Sequence, residues 1–501
     1  MKLPLFLFLG LRGSIQQGRA KGVPPQLRGA ILGIGLSIIP LLVVIVVTNG
    51  MIEGITQRYI EITTYHLQLT LYNNISRERL YSIADNIRKL DDVRIAFVEQ
   101  SGFALVRSKD NLSGVTIRAI PKTLYTDDSG FQEYIKFYEG EFNLTPIPLS
   151  FKANFFKRRV LGLPNKKKQR LLLSCYEVDE TNNHYVLKET ITDRERAQLQ
   201  DVFRAMRVIT ILLGKSLADT LEVGVGDQVY ILSHTDFHSN IVVKSTKCIV
   251  SGIFSTGYQD IDKFLAYIPQ EAGSRILPKV KSKLYIGIKV KEPFADMNDI
   301  IGEIKNLLTE NDIDYSRFES WYELQENQYK AFSTTKAILI FIMILIILVA
   351  SWNVYSSIVM IVMEKIQEIA ILKSMGVSPR TISLSFLTIG SFTGFIGMII
   401  GTAAGLLIAM NINEVIGGIE LIINRLIGIF YIIMSPFIPL KDTEPFMIFN
   451  PDFYLEKIPV IISFSEVFAV GFLTILLSTL AAYLPAKEAG RIKPLEVIRK
   501  Y

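Results

Sequence analysis

Only two cysteines, Cys175 and Cys248, occur among the 501 residues. So few exclude a disulfide scaffold, although a single bridge between them stands open beside plain burial as small apolar groups. Histidine is almost as scarce, with His66, His184, His234 and His238. The last two have a spacing that suits a metal ion, but no second ligand pair accompanies them, so no metal site is expected. No catalytic constellation stands out, and the chain is expected to be a non-catalytic subunit. A phosphate-binding loop is also missing. Gly214-Lys215-Ser216 has the form of its end, yet the glycine that should open it falls at Ile209, which removes the backbone cradle. Excess charge is small, at +6, and its basic residues sit beside apolar runs without any recognition motif, which argues against nucleic acid as a partner.

What the sequence does have is long apolar runs. Four segments meet the requirement of about 20 apolar residues for a membrane span: Ala30 to Thr48, Ala337 to Met360, Ile382 to Met410 and Ser465 to Leu484. The first lies too far in, behind too many polar residues, for a cleaved signal peptide. Arg12, Arg19, Lys21 and Arg28 precede it; Lys365, Lys373 and Arg380 lie between the second and third runs; Lys487, Arg491, Lys493, Arg499 and Lys500 follow the fourth. The positive-inside rule puts all three regions in the cytoplasm. A fifth apolar run, Leu421 to Leu440, is interrupted by Arg425 and broken by Pro436 and Pro439. It is expected to lie on or dip into the outer interface, because a further crossing would put the basic tail outside.

These readings predict a membrane α-helical protein with four transmembrane helices and a large α+β extracytoplasmic domain inserted between helices 1 and 2. The boundaries are a cytoplasmic segment 1–29, spans at 30–50, 336–361, 381–410 and 464–485, an outer domain 51–335, a cytoplasmic loop 362–380, an outer loop 411–463 and a cytoplasmic tail 486–501. Within the outer domain, His66 to Tyr72 and Val93 to Val98 alternate as strands around a helical pattern at Ser76 to Leu90. Leu284 to Val290 and Asp296 to Leu308 repeat strand and helix near the other end. An α/β platform with a β-rich insertion at about 120–280 is the natural outcome. The basic stretch from Phe151 to Arg170 is expected to project as a hairpin about Leu163-Pro164-Asn165, either simply solvated or touching lipid headgroups or an acidic partner.

In the third span Gly390, Gly394, Gly397, Gly401 and Gly405 permit close helix approach, either within the bundle or between two copies. Asn353 in the second span is a polar group that needs a partner there, and Pro40 should kink the first span.

The stretch Met363 to Arg380, MEKIQEIAILKSMGVSPR, reads as a short amphipathic helix. Glu364, Lys365 and Glu368 fall toward one face, Ile366, Ile369, Ala370 and Lys373 toward the other, and Gly376 stands where a C-cap would. Spacing alone fits docking into a partner's groove and resting on headgroups equally well.

This loop resembles the Glu-Lys/Arg-x-x-Glu-Ile-Ala-Ile-Leu-Lys/Arg-x-x-Gly segment of the MacB/FtsX superfamily of ABC-transporter permeases. The ending from Leu484 to Arg499, LPAKEAGRIKPLEVIR, is similar to that superfamily's tail. Within it the chain looks like the LolC/LolE-type lipoprotein-releasing permeases, through Thr48 to Gly54, Gly214 to Ala218 followed by Gly226-Asp227, and Gly252 to Gly257 followed by Asp262 and Ala266-Tyr267. The N-terminal Arg12 to Pro25 and the long outer loop depart from that pattern.

The resemblance implies a dimer with a second permease copy or paralogue, each bound to a separate cytoplasmic ABC ATPase that holds the ATP and Mg. Glu364, Lys365, Glu368, Ile369, Leu372, Lys373 and Gly376 would form the coupling helix. Lipoprotein substrates would enter from the membrane lipid of the outer leaflet of a bacterial inner membrane and pass to a periplasmic carrier. It also suggests acyl-chain contacts at Val44, Val47, Met51 and Ile55 with Ile342 and Ile346, which could equally be ordinary lipid-facing residues. Rival expectations are an FtsX-like regulator of a cell-wall hydrolase, a MacB-like exporter, or a receptor without transport. The outer insertion of roughly 285 residues, counted from 51 to 335, is larger than the first of these needs.

Overall fold

The computed structural model describes residues 25–494 apart from short stretches, the longest being 435–445 and 449–457. The expectations for Arg12, Arg19, Lys21, Pro436, Pro439, Arg499 and Lys500 fall outside the described residues. Two compact units emerge, one formed by the chain up to Gly54 with Asn327–Ile448 and the C-terminal region, the other by Ile55–Glu326.

The first unit is a helix bundle. Its elements are α1 (Pro25–Arg58), α2 (Glu326–Glu364), α3 (Ile366–Ser374), α4 (Pro379–Met410), α5 (Ile412–Met434) and α6 (Phe464–Arg491). Helices α1, α2, α4 and α6 are long and apolar enough to cross a membrane, in the four places the apolar runs predict. Each extends beyond its run, because backbone hydrogen bonding continues past the apolar stretch until a cap or break stops it. Helix α1 runs through Pro40 without interruption.

Small residues set the packing of the bundle. A Cβ at Gly390 would stand 2.3 Å from the Ala482 methyl carbon of α6, and one at Gly401 would stand 2.8 Å from the carbonyl of Gly35 in α1. Gly394 faces Ser478 in the same way, while Gly397 and Gly405 face Ile34 and Leu42. The glycine stripe thus splits between two neighbours inside the chain: its first half receives α6 and its second half α1. Around it Ile34, Ile38, Leu42, Val354, Ile358, Ile389 and Ala482 make a buried apolar core. Asn353 lies exposed on α2, its amide nitrogen 3.3 Å from where a Gly33 Cβ would stand.

The second unit is built on a ten-stranded mixed sheet. Its path runs through Tyr315–Ser320, Leu67–Leu71, Ser282–Val290, Val93–Arg107, Leu112–Ile120, Leu265–Pro269, Thr210–Gly214, Asn240–Ser255 and Lys136–Gly140, with Gln228–Phe237 pairing two of them. Strands from both ends of the insertion lie side by side, Leu67 opposite Ile288 and Leu67 again opposite Ser320. The helices Arg77–Ile87 and Asn298–Glu310 cover this part, burying Leu80, Ile83 and Ile87 with Ile304 and Leu308.

The strands at 210–269 continue the same sheet, so only a smaller part stands off from it. That part is a three-stranded sheet of Ser150–Lys152, Tyr176–Asp179 and His184–Leu187. Phe151, Phe156, Tyr176 and Phe203 form its buried aromatic centre. The basic stretch does not form the expected hairpin where it is described. Asn165 instead caps a helix, Lys166–Cys175, its side chain accepting the N–H of Lys167 at 2.9 Å. An asparagine outcompetes a turn here because it satisfies a donor that a new helix leaves open. Cys175 and Cys248 are both free and buried, in different apolar clusters.

Candidate functional site

The short helix α3 is held on one side and open on the other. Ile369 and Ala370 are 3% and 1% exposed and pack into the bundle. Lys373 donates from Nζ to the carbonyls of Gly490 (2.9 Å) and Ile492 (2.6 Å). These are end carbonyls of α6, where a cation is favoured both by the helix dipole and by the unpaired oxygens. Gly490 sits against Pro379 and Ser383 at the start of α4, where a Cβ would come within 2.7 Å of the Pro379 carbonyl. The two motifs that carry the family resemblance, the loop and the tail, are therefore one contact.

Both ends of α3 are fixed. It starts at Lys365 directly after α2. It ends in a Schellman motif: Gly376, at φ +92°, donates to Lys373 O (3.0 Å), and Val377 donates to Leu372 O (3.1 Å). Ser378 then caps α4, accepting from Thr381 N–H at 3.2 Å, with Pro379 at the first position. A glycine is needed at 376 for the left-handed backbone rather than for space, since nothing lies within 4 Å of its missing Cβ.

The open side carries Glu368, Ile371 and Met375, spaced so that they fall on one helical stripe, and Glu364 precedes it as the last residue of α2; all four are exposed. Lys365 pairs with Glu368 at 2.6 Å; Leu372 is half-buried. Ile371 and Met375 are 55% and 75% exposed, and the sequence reading passed over them because they interrupt its polar face. Their signal is their position, three and seven residues beyond the exposed Glu368.

At the other end of the bundle Glu466 of α6 joins three helices. It accepts from Lys336 of α2 at 2.7 Å and from the Asn49 side-chain amide of α1. Among the residues expected near acyl chains, Val44, Val47 and Met51 are half-buried, Ile55 is buried, and Ile342 and Ile346 are exposed on α2.

The sheet unit holds a charged network that sequence reading missed. A six-residue π-helix, Tyr59–Thr64, follows α1. From it Glu61 accepts the ammonium of Lys289 and the guanidinium of Arg94, both at 2.6 Å. Lys289 also binds Asp128 and the Glu61 carbonyl; Lys289 and Asp128 have fully buried side chains. Arg94 reaches Asp128 at 3.2 Å, so two acids and two bases balance.

His66 lies beside them, Nε2 3.5 Å from Glu61. Its Nδ1 accepts the Val290 N–H at 2.9 Å, which fixes the neutral tautomer with the proton on Nε2. Burial pushes the imidazole below its usual 6.5, against the pull of the Glu61 carboxylate.

Next to it Glu99 and Arg118 pair inside the sheet, with Tyr65 and Tyr285 donating to Glu99 at 2.9 and 2.8 Å. Burial first, and the Glu99 charge second, push both phenols up, so they remain donors. Tyr65 has φ +59°, a strained backbone for a side chain of its size. Its ring fills the place a Cβ on Gly287 would need.

The glycine–lysine–serine sequence has a structural use. A Cβ at Gly214 would strike the Asp262 carbonyl at 2.0 Å, and Lys215 lies over the Tyr138 ring at 4.4 Å. Asp262 accepts from Thr256 N–H and Oγ1 and from Ser255 Oγ, which ties the Gly252 to Gly257 motif to the same corner. Among the described residues no group of three or more metal-ligating side chains forms. His234 lies on a strand opposite Val243, and His238 is outside the described residues.

Residues 340–494 match the family described as FtsX-like permease C-terminal. The chain is 28% identical over 291 residues to the lipoprotein-releasing system transmembrane protein LolC of Xylella fastidiosa. It is 22% identical over 295 residues to LolE of Haemophilus influenzae. Each alignment covers 58% of this chain and 64% of the relative, so the chain spans less than two thirds of the curated relatives it matches. The periplasmic region of MacB from Actinobacillus actinomycetemcomitans aligns over 54% of this chain and 94% of its own, at 11% identity and a TM-score of 0.26, too low to bear on the fold. Residues 340–494 thus carry an FtsX-like permease C-terminal region, and the chain is similar to the LolC and LolE permeases over 58% of its length.

Proposed function

We propose that this chain is the permease subunit of an ABC transporter that releases lipoproteins from the outer leaflet of a bacterial inner membrane to a periplasmic carrier. The observation that carries this is α3, joined to α4 through the Gly376–Ser378 turn and clamped by Lys373 to the end of α6, while Glu368, Ile371 and Met375 stand exposed beside Glu364 at the end of α2. A separate ATPase, holding ATP and Mg, would seat this stripe in a groove. Its closure would push on a helix already tied to two spans, so force passes on without acid–base chemistry. The positive flanks of the spans support placing α3 and both termini in the cytoplasm.

The named activity of LolC and LolE supports lipoproteins as the substrate. A second permease copy or paralogue would complete the transporter. Val44, Val47, Met51, Ile55, Ile342 and Ile346 remain the proposed contacts for the substrate's acyl chains. In this reading the inserted domain moves the released protein, and the bundle transmits.

The test uses Glu368→Lys and Ile371→Asp in the full chain, reconstituted with its ATPase in vesicles. Both variants should insert normally and lose ATPase co-purification and lipoprotein release. Unchanged release in both would refute the coupling role. Recovery of a cell-wall hydrolase in place of lipoproteins would refute the substrate.

A further inference from the structure

Helix α5 follows α4 after a single residue, Asn411, and its polar side is already occupied. Asn424 accepts the Phe446 N–H at 2.8 Å and donates to the Phe446 carbonyl at 3.0 Å. Asn413 does the same for Ile458, at 3.1 and 3.0 Å. Between them Glu420 accepts the Ile448 N–H at 2.8 Å. These three side chains lie at positions i, i+7 and i+11, one stripe of the helix. An asparagine amide has the donor and acceptor of a peptide unit, so it brackets a passing backbone much as a strand would. The described residues Phe446, Ile448 and Ile458 thus meet α5 in antiparallel order, Ile458 beside the start of the helix, and Pro459 lies against Gly50 of α1. The excursion thus leaves and rejoins the bundle at the same end.

The opposite face holds Ile419, Ile422, Leu426, Ile429 and Phe430, between 44% and 61% exposed. No side chain with a full charge interrupts it, and a contiguous apolar face of this kind is unstable in water. Arg425 and Glu414 flank it at one edge, both exposed, where long polar side chains reach headgroups.

We propose that α5 lays this face among lipid acyl chains at the rim of the bilayer, entering from one side without crossing it. Two observations select lipid over a protein partner. The face is aliphatic with a single aromatic, without the Arg, Tyr or Trp anchors that protein interfaces concentrate. It is also continuous, through one residue, with the membrane-spanning α4. The internal pairing removes the obstacle to immersion, because backbone and amide groups that meet each other need no water. A full crossing would drag the return chain back through hydrocarbon and is disfavoured by Glu420, Asn424 and Arg425 along the helix. The inference rests on the membrane reading alone and is independent of what is transported.

Cys175 and Cys248 can be replaced by alanine in the full chain, and single cysteines placed at Ile422, Leu426 or Gly417. The last is exposed on the polar side, with open space around it. Each is labelled with bimane and placed in nanodiscs of plain or acyl-brominated phosphatidylcholine, after checking that its size-exclusion profile matches the parent. Brominated lipid should quench the labels at 422 and 426 roughly threefold or more above that at 417, while iodide spares them. Quenching of 422 and 426 by iodide would overturn the proposal in favour of water. Shielding from both quenchers, with disulfides forming between copies, would overturn it in favour of a protein contact. Equal quenching at all three sites by brominated lipid would overturn it in favour of a crossing helix.

Discussion

Lys289 has a fully buried ammonium between two carboxylates, and neither acid can recover its lost hydration if the lysine is removed. Lys289→Met should therefore cost about 3–5 kcal/mol, whereas neutralising Asp128 to asparagine in the same chain should return part of it. Denaturant unfolding of the purified protein would check both; equal losses in the single and double variants would show that charge balance is not the cause. His66 makes a second prediction. Its folded-state pKa is depressed, so unfolded chains bind a proton that folded chains refuse as pH falls below 6.5. Stability contributed by the neutral imidazole is thus full above that value and is lost as pH falls toward the lower folded value. The melting temperature should drop between pH 7.5 and 5.5, and His66→Gln should show a flatter dependence over that interval. None of this network was legible beforehand. Glu61, Asp128 and Lys289 are distant in sequence, and a charged residue within a strand pattern carries no mark of its partner.

Elements differ in how much a glycine matters to them. Gly401 meets the backbone of α1, so Gly401→Leu must push two helices apart and should abolish a stable bundle in detergent. Gly302, within the helix Asn298–Glu310, has open space where its Cβ would be. Gly302→Ala should stabilise the protein by about 0.5–1 kcal/mol. A melting series on the two variants separates close packing from backbone entropy; similar shifts in both would contradict the contacts described. The repeated glycines announced close approach from the sequence. Their division between α6 and α1 was not legible, since spacing names a face and not its neighbour. The helix α3 was readable as a short helix with Ile369 and Ala370 on its buried side, but its exposed Ile371 and Met375 were not. Its clamp by Lys373 was not, because the receiving carbonyls lie more than a hundred residues away.

The whole molecule divides between Gly54 and Ile55 and again near Glu326. Residues 55–326 hold their own apolar clusters and their own balanced ion network, so this segment expressed alone should fold and melt cooperatively. Circular dichroism with thermal melting would check this, and a broad non-cooperative transition would show that the bundle is needed. The four spans, the insertion and the permease resemblance were legible in the chain itself. A run of about 20 apolar residues can hide its backbone in lipid only as a helix, and strand alternation reports one buried face. Tertiary structure decided what periodicity does not encode. It fixed the continuation of the sheet through the supposed insertion, the helix in place of a basic hairpin, and the meeting of loop and tail through Lys373. It also paired the polar stripe of α5 with its own return chain. Each depends on which distant groups can satisfy one another, and that is settled only when the chain has closed on itself.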